Sequence, residues 1–172
     1  LYKKQLKTFE IEEGNKQDLS SYLISLNTTL DIRELKDSEI SRAVQLINKT
    51  NQFNLNGIRR SHEAVKELMA SNHRMIIGEL SDKNGNHGEI LAMLISLSGE
   101  VKSFVMSCRV FQRMAEYAFI GSLPAYGIDN LYLDPIQTNR NIPFIKFIYD
   151  ISNSNKNMRL NINKDVIEQI NA

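Results

Sequence analysis

Two apolar, β-rich runs, RMIIGEL at 74–80 and EILAMLISL at 89–97, flank the polar stretch SDKNGNHG, which contains an Asn-Gly pair. Tight hairpin turns need positive φ at their central residues, and Asn-Gly tolerates it, so this arrangement predicts an antiparallel hairpin. KSFVMS at 102–107 adds a third strand, and the chain then runs without a linker into CRVFQRMAEYAFIGSLPAYG. There Val110, Met114, Tyr117, Ala118 and Gly121 keep near-helical spacing. The expectation is a meander whose last strand ends directly at the start of a long helix.

Other segments attach to this centre. Asp18 precedes LSSYLISL and predicts a capped helix, and TTLDIREL predicts a strand with Leu30, Ile32 and Leu35 facing inward. Ser38 introduces Ile40, Ala43, Val44 and Ile47, a helix to about Asn48. The amide-rich stretch NKTNQFNLNGIRRS reads as a loop closing on Ser61, the expected cap of a helix HEAVKELMAS. DNLYLDPI predicts a short strand parallel to an earlier one, because a helix long enough for a crossover separates them. IPFIKFIYDI predicts a helix with Pro143 in its first turn, MRLNI a last strand, and NKDVIEQI a terminal helix from about Asn163. The fold class expected is α/β (α+β), a mixed and mostly antiparallel sheet flanked by helices.

At 172 residues, 42% hydrophobic and 24% charged, the chain suits one core. Its 21 basic and 20 acidic side chains nearly cancel, which argues against nucleic acid or an anionic membrane as partner. No apolar run approaches the length of a membrane span, and no signal-peptide core is visible near the N-terminus. Cys108 is the only cysteine, so a reducing, cytoplasmic setting is expected. His73 and His87 flank the hairpin too far apart to pair on a metal, and the acids show no ligand spacing. Metal binding is not expected. Leu1 at the start leads to the expectation that residues 1–17 are a linker helix from a missing N-terminal domain and 18–172 the domain itself.

Three stretches carry a resemblance: LINKTNQFNLNGIRRS, FVMSCRVFQRMAEYAF and PIQTNRNIPFIKFIYD. In this order they resemble the NQFN, SCR and Thr-x-x-Asn segments of the GNAT-like C-terminal domain of FkbH-like proteins. The likeness runs from about Ser20 to about Asn153. It implies a GNAT-type acyltransferase fold and transfer of a small, glyceryl-type acyl group in a biosynthetic pathway. It further implies an acyl carrier protein or coenzyme A thioester as donor, and a haloacid-dehalogenase (HAD) superfamily phosphatase domain as neighbour. The alternative is a binding domain without catalysis that docks a carrier protein or the phosphatase domain.

The resemblance also assigns residues. The GNAT loop Arg/Gln-x-x-Gly-x-Gly/Ala, whose backbone amides hold a diphosphate, falls on Arg109, Val110, Phe111, Gln112, Arg113 and Met114. Both glycines are replaced. Arg109, Gln112 and Arg113, with Asn141, are then the candidates for holding acetyl-CoA, CoA or a phosphopantetheine arm, while the two arginines read equally well as ion-pair residues. The family's Asn-x-x-x-x-x-Phe-Tyr places its acid at Ile148, leaving Tyr149 one residue late. One residue turns a helix by about 100°, so Tyr149 serves only if the helix bulges. Cys108, between a strand and a helix start, is chemically suited to carry an acyl thioester and equally suited to packing. Asn51, Gln52, Asn54 and Arg59 could bind the acyl group, or their amides could tie down the loop.

Overall fold

The computed structural model describes residues 24–152 and 158–167. Alternation along three strands explains its layering. β3 (His73–Asp82), β4 (Gly85–Ser96) and β5 (Val101–Met106) form an antiparallel meander. Met75, Ile77, Ala92, Leu94 and Val105 pack in one buried cluster, whereas Ile76, Leu91, Met93, Phe104 and Met106 belong to a second. A sheet covered on both faces has no polar alternation to show, which is why its strands read as continuous apolar runs.

β1 (Thr29–Leu35) pairs antiparallel with β3 at one edge. Its Leu30 and Ile32 pack on one core, whereas Leu35 lies in the other, as the odd spacing requires. Two helices, α1 (Ser41–Lys49) and α2 (His62–Ala70), cover the Leu35 face. Ser38 does not cap α1; it sits in a separate 3-10 turn, Asp37–Glu39, and Ile40 holds the cap position. Ser61 caps α2 as expected, its Oγ accepting from the Ala64 N–H at 3.1 Å.

The hairpin turn centres on Lys83 and Asn84, with Asp82 opposite Gly85. Beyond β5 the expected long helix does not form. A 3-10 turn, Cys108–Val110, gives way to a non-helical loop, and only then does α3 (Ala115–Ser122) begin, followed by a second 3-10 turn, Leu123–Tyr126. Gln112 and Met114 have φ of 68° and 59°. Two left-handed residues so close together cannot continue a right-handed helix, whatever the apolar spacing.

β6 (Asn130–Leu133) does run parallel to its earlier neighbour where they touch, through a bridge between Glu100 and Tyr132 and a Tyr132 N–H donating to Gly99 O at 2.8 Å. Elsewhere it pairs antiparallel with β7 (Met158–Asn161). α4 (Ile142–Ser152) is a regular helix with Pro143 in its first turn. After β7 a π-helical turn, Ile162–Ile167, stands where the terminal helix was expected, and the rest of that helix lies outside the described residues. The same holds for the linker helix over 1–17 and nearly all of the helix at 19–26.

From the Glu100–Tyr132 bridge β5 and the chain after β6 diverge, and the amide-rich loop fills the gap. β2 (Phe53–Asn54) pairs antiparallel with Met106 and Val105 of β5. Leu55 N–H donates to Phe104 O, and Leu55 O accepts from Ile136 N–H, both at 3.0 Å. Phe53 is buried against Phe104, Phe144 and Phe147, with ring centroids 5.5, 4.9 and 5.2 Å away. One aromatic side chain thus fixes an otherwise polar loop in the core. What remains open is a cleft at the end of β5.

Candidate functional site

The cleft has a volume of ≈ 730 Å³, two walls and a floor. Arg42, Leu46 and Lys49 come from α1, where spacings of four and three residues put them on one face. Thr50, Asn51 and Gln52 continue that wall into the loop. Met106, Ser107 and Cys108 form the floor at the end of β5, and Asn139, Arg140 and Pro143 close the far side. Cys108 is exposed, so its thiol is open to reaction rather than packed away. None of the lining residues is acidic, while three are cationic.

Hydrogen bonds hold the walls in place. Asn141 is fully buried; its Nδ2 donates to Asn54 O at 2.9 Å and Ile136 O at 2.8 Å, and its Oδ1 accepts from Thr138 N–H at 2.7 Å. Asn54, also buried, donates from Nδ2 to Thr50 O and accepts the Asn56 and Gly57 N–H groups on Oδ1. Arg60 donates to Ser103 Oγ at 2.8 Å and Lys102 O at 2.9 Å, fastening the end of the loop to β5. Arg59 donates to Ile47 O at 3.2 Å and to the Asn51 Oδ1. Asn51 thereby enters the cleft with its carbonyl committed and its amide N–H groups as what it can offer a ligand.

Of the residues singled out in the sequence, the fold brings Cys108, Asn51 and Gln52 together at the cleft. Asn54, Asn141 and Arg59 stand behind its walls as fasteners. Arg109 is exposed beside Cys108, with Ser107 Oγ 3.4 Å from its Nε. Arg113 points to the hairpin, where it pairs with Asp82 Oδ2, which also contacts His87 Nε2 at 2.9 Å. The Arg113 guanidinium, foremost, holds the enclosed Asp82 carboxyl down at about 2. Tyr149 is 50% exposed on a helix with no bulge, and Ile148 is buried in its stead.

The sequence reading missed Arg42, Lys49 and Arg140. Their signal was faint: two cations seven residues apart on a helix, and an arginine inside the Thr-x-x-Asn segment.

A diphosphate does not fit the loop before α3. Arg113 is already paired with Asp82. Glu116, the second residue of α3, is half-buried overall, yet its carboxylate oxygen Oε2 is shut off from solvent with no hydrogen-bond partner. Burial pushes this carboxyl up to about 7, with its own backbone N–H opposing the rise. An acidic side chain in the first turn, beside an arginine already paired, leaves the loop with little charge to attract a diphosphate. Burial also raises Tyr117, with Glu116 and Asp150 adding to it, to about 12.

The sequence matches no protein-family model. No curated protein matches it either. Among the described residues no helix is long and apolar enough to cross a membrane, and no group of three or more His, Cys, Asp or Glu is placed to hold a metal ion.

Proposed function

We propose that this chain is a GNAT-like acyl-transfer domain in which Cys108 takes a small acyl group from a thioester and passes it on. The observation that carries the reading is the exposed thiol on the floor of a polar, cationic cleft. In the first step the Cys108 sulfur, having given up its proton, attacks the thioester carbonyl. A new C–S bond forms to Cys108, the donor C–S bond breaks, and the departing thiolate takes up a proton. Attack by an acceptor nucleophile reverses the exchange and restores the thiol. The FkbH-like resemblance supports a glyceryl-type acyl group, and an acyl carrier protein suits the site better than coenzyme A, because Arg113, in the loop before α3, is already paired with Asp82 and Glu116 follows it in the first turn.

A second reading, a binding domain that docks a carrier protein or a phosphatase domain without catalysis, is favoured by one observation. The Glu116 carboxylate stands at the helix start where the GNAT resemblance puts a phosphate. Thermal melting tests the binding that transfer requires. A ligand bound only by the folded state stabilises it by about 2.7 kcal/mol at 100 times its Kd. A phosphopantetheine-loaded carrier protein is expected to raise the Tm and free coenzyme A to leave it unchanged. No shift with the carrier protein, acetyl-CoA or coenzyme A would sink the transfer reading and leave only the docking of a phosphatase domain.

A further inference from the structure

Most arginines of the described fold have their charge or their hydrogen bonds answered from within. Arg33 pairs with Glu79 and Glu89, Arg74 with Glu34, and Arg113 with Asp82. Arg59 and Arg60 spend their guanidinium groups on loop carbonyls and side-chain oxygens. Arg109 meets only Ser107 Oγ and Arg159 only the Tyr132 ring, and the cleft gathers three further cations without an acidic partner. Arg42 bonds only the neutral Gln45, at 2.5 Å, and the Lys49 and Arg140 side chains have no hydrogen bond or ion pair among the described residues. With a net charge of +1 the whole chain generates little field, so this concentration of positive charge is local to the cleft.

The positions are set by the backbone rather than by chance exposure. Arg42 and Lys49 lie two turns apart on α1, about 10 Å along its axis. Arg140 stands on the opposite side, in a loop whose Thr138 Oγ1 accepts from Arg140 N–H at 3.2 Å and Asn141 N–H at 3.1 Å. A ligand between these walls meets cations from two directions, the amide donors of Asn51, and Cys108 below. Filling such a site with a neutral group would strip water from the cations without replacing its favourable interactions. Filling it with a carboxylate or phosphate matches charge and bidentate donor geometry at once.

We propose that the cleft selects acyl groups bearing their own negative charge, a carboxylate or a phosphate, with Arg42, Lys49 and Arg140 as the residues that determine this specificity. The statement rests on the reading of Cys108 as the acylated group, and it goes beyond that reading by placing a glyceryl-type group that carries its own carboxylate or phosphate ahead of neutral groups such as acetyl or unmodified glyceryl. Since each ion contact is partly in water, the preference weakens as salt shortens the range of the field, to roughly 10 Å at 0.1 M ionic strength.

Cys108 is the only cysteine, so alkylation reports on the cleft directly. The Cys108 thiolate displaces iodide from the CH2 carbon of either iodoacetate or iodoacetamide, and the two reagents differ by one negative charge. Their rate ratio cancels any change in the reactivity of the thiol itself. In the full chain at low salt, Lys49→Gln/Arg140→Gln is expected to lower the iodoacetate-to-iodoacetamide ratio about fivefold relative to the unsubstituted protein. Arg42→Gln is expected to lower it too. Both altered cations of the double variant are exposed, and circular dichroism checks that each variant folds.

Malonate and inorganic phosphate are then added as protecting ligands, with neutral malonamide as control. Protection by malonate alone assigns a carboxylate-bearing acyl group, protection by phosphate alone a phosphorylated one, and protection by both the shared anion chemistry. An unchanged rate ratio, protection by neither anion, or equal protection by malonamide overturns the proposal. These readouts require no acyl transfer. A protein that never took an acyl group would still show them, so their failure overturns the anion selection while the acylation of Cys108 stands or falls on its own measurement.

Discussion

The carboxylate of Glu116 has lost contact with water without gaining a donor beyond the backbone at its own helix start. Its folded pKa of about 7 lies above the ordinary 4.5, so the proton is held more tightly in the folded state. This group's contribution to stability is full below about pH 4.5 and is lost as pH rises through 7. A shift of this size corresponds to on the order of 3 kcal/mol. Glu116→Gln, which keeps the shape and removes the charge, is therefore expected to raise the Tm at pH 8 and to change it little at pH 5. Denaturation at both pH values checks this, and a lower Tm at pH 8 would mean that the ionised carboxylate stabilises the helix start instead.

Residue types with intrinsic reactivity were the ones legible in the sequence. Cys108 stood out as the only thiol, and Asn51 and Gln52 as part of a run of amides. Arg42, Lys49 and Arg140 carried no such mark, because a charged side chain on an amphipathic helix or in a polar loop has the same pattern whether it faces bulk water or a cleft. Only the fold places them around one space.

At the scale of elements, the clasp between two loops decides whether the cleft exists. Asn141 makes three hydrogen bonds from a fully buried side chain, one of them to the backbone of Asn54 across 87 residues of chain. Asn141→Ala leaves two carbonyls and an N–H without partners, so a loss of about 3 kcal/mol is expected in chemical denaturation. A change below ~1 kcal/mol would show that water replaces the amide and that the loops are held otherwise. The legibility of elements follows the same logic. β3, β4 and α4 were readable from apolar runs and period, whereas α3 was misjudged in length, since apolar spacing at Val110 and Met114 says nothing of the left-handed backbone between them. The ordering of the amide loop depended on Phe53, a single aromatic residue in a polar stretch.

The described fold centres on a five-stranded sheet buried on both faces, with a two-stranded sheet bridged to it, opened at one end of β5 and plugged there by β2, so that Cys108 meets the two walls of the cleft. That layout was foreseen in outline: a mixed, mostly antiparallel sheet flanked by helices. The plug was not, since nothing in two residues of β-structure within a loop distinguishes them from their surroundings. Because the edge of β5 is already bonded at Val105 and Met106, a thioester arm cannot add as a further strand there and has to reach the thiol across the cleft. The account therefore turns on whether Cys108 is acylated. Intact-mass spectrometry after incubation with carrier-protein thioesters of a glyceryl-type acid, with and without a phosphate on the acyl group, answers this. The account predicts one acyl increment on the unsubstituted protein and none on Cys108→Ala with an unchanged circular dichroism spectrum; no increment on the former, or an equal increment on the variant, would contradict it.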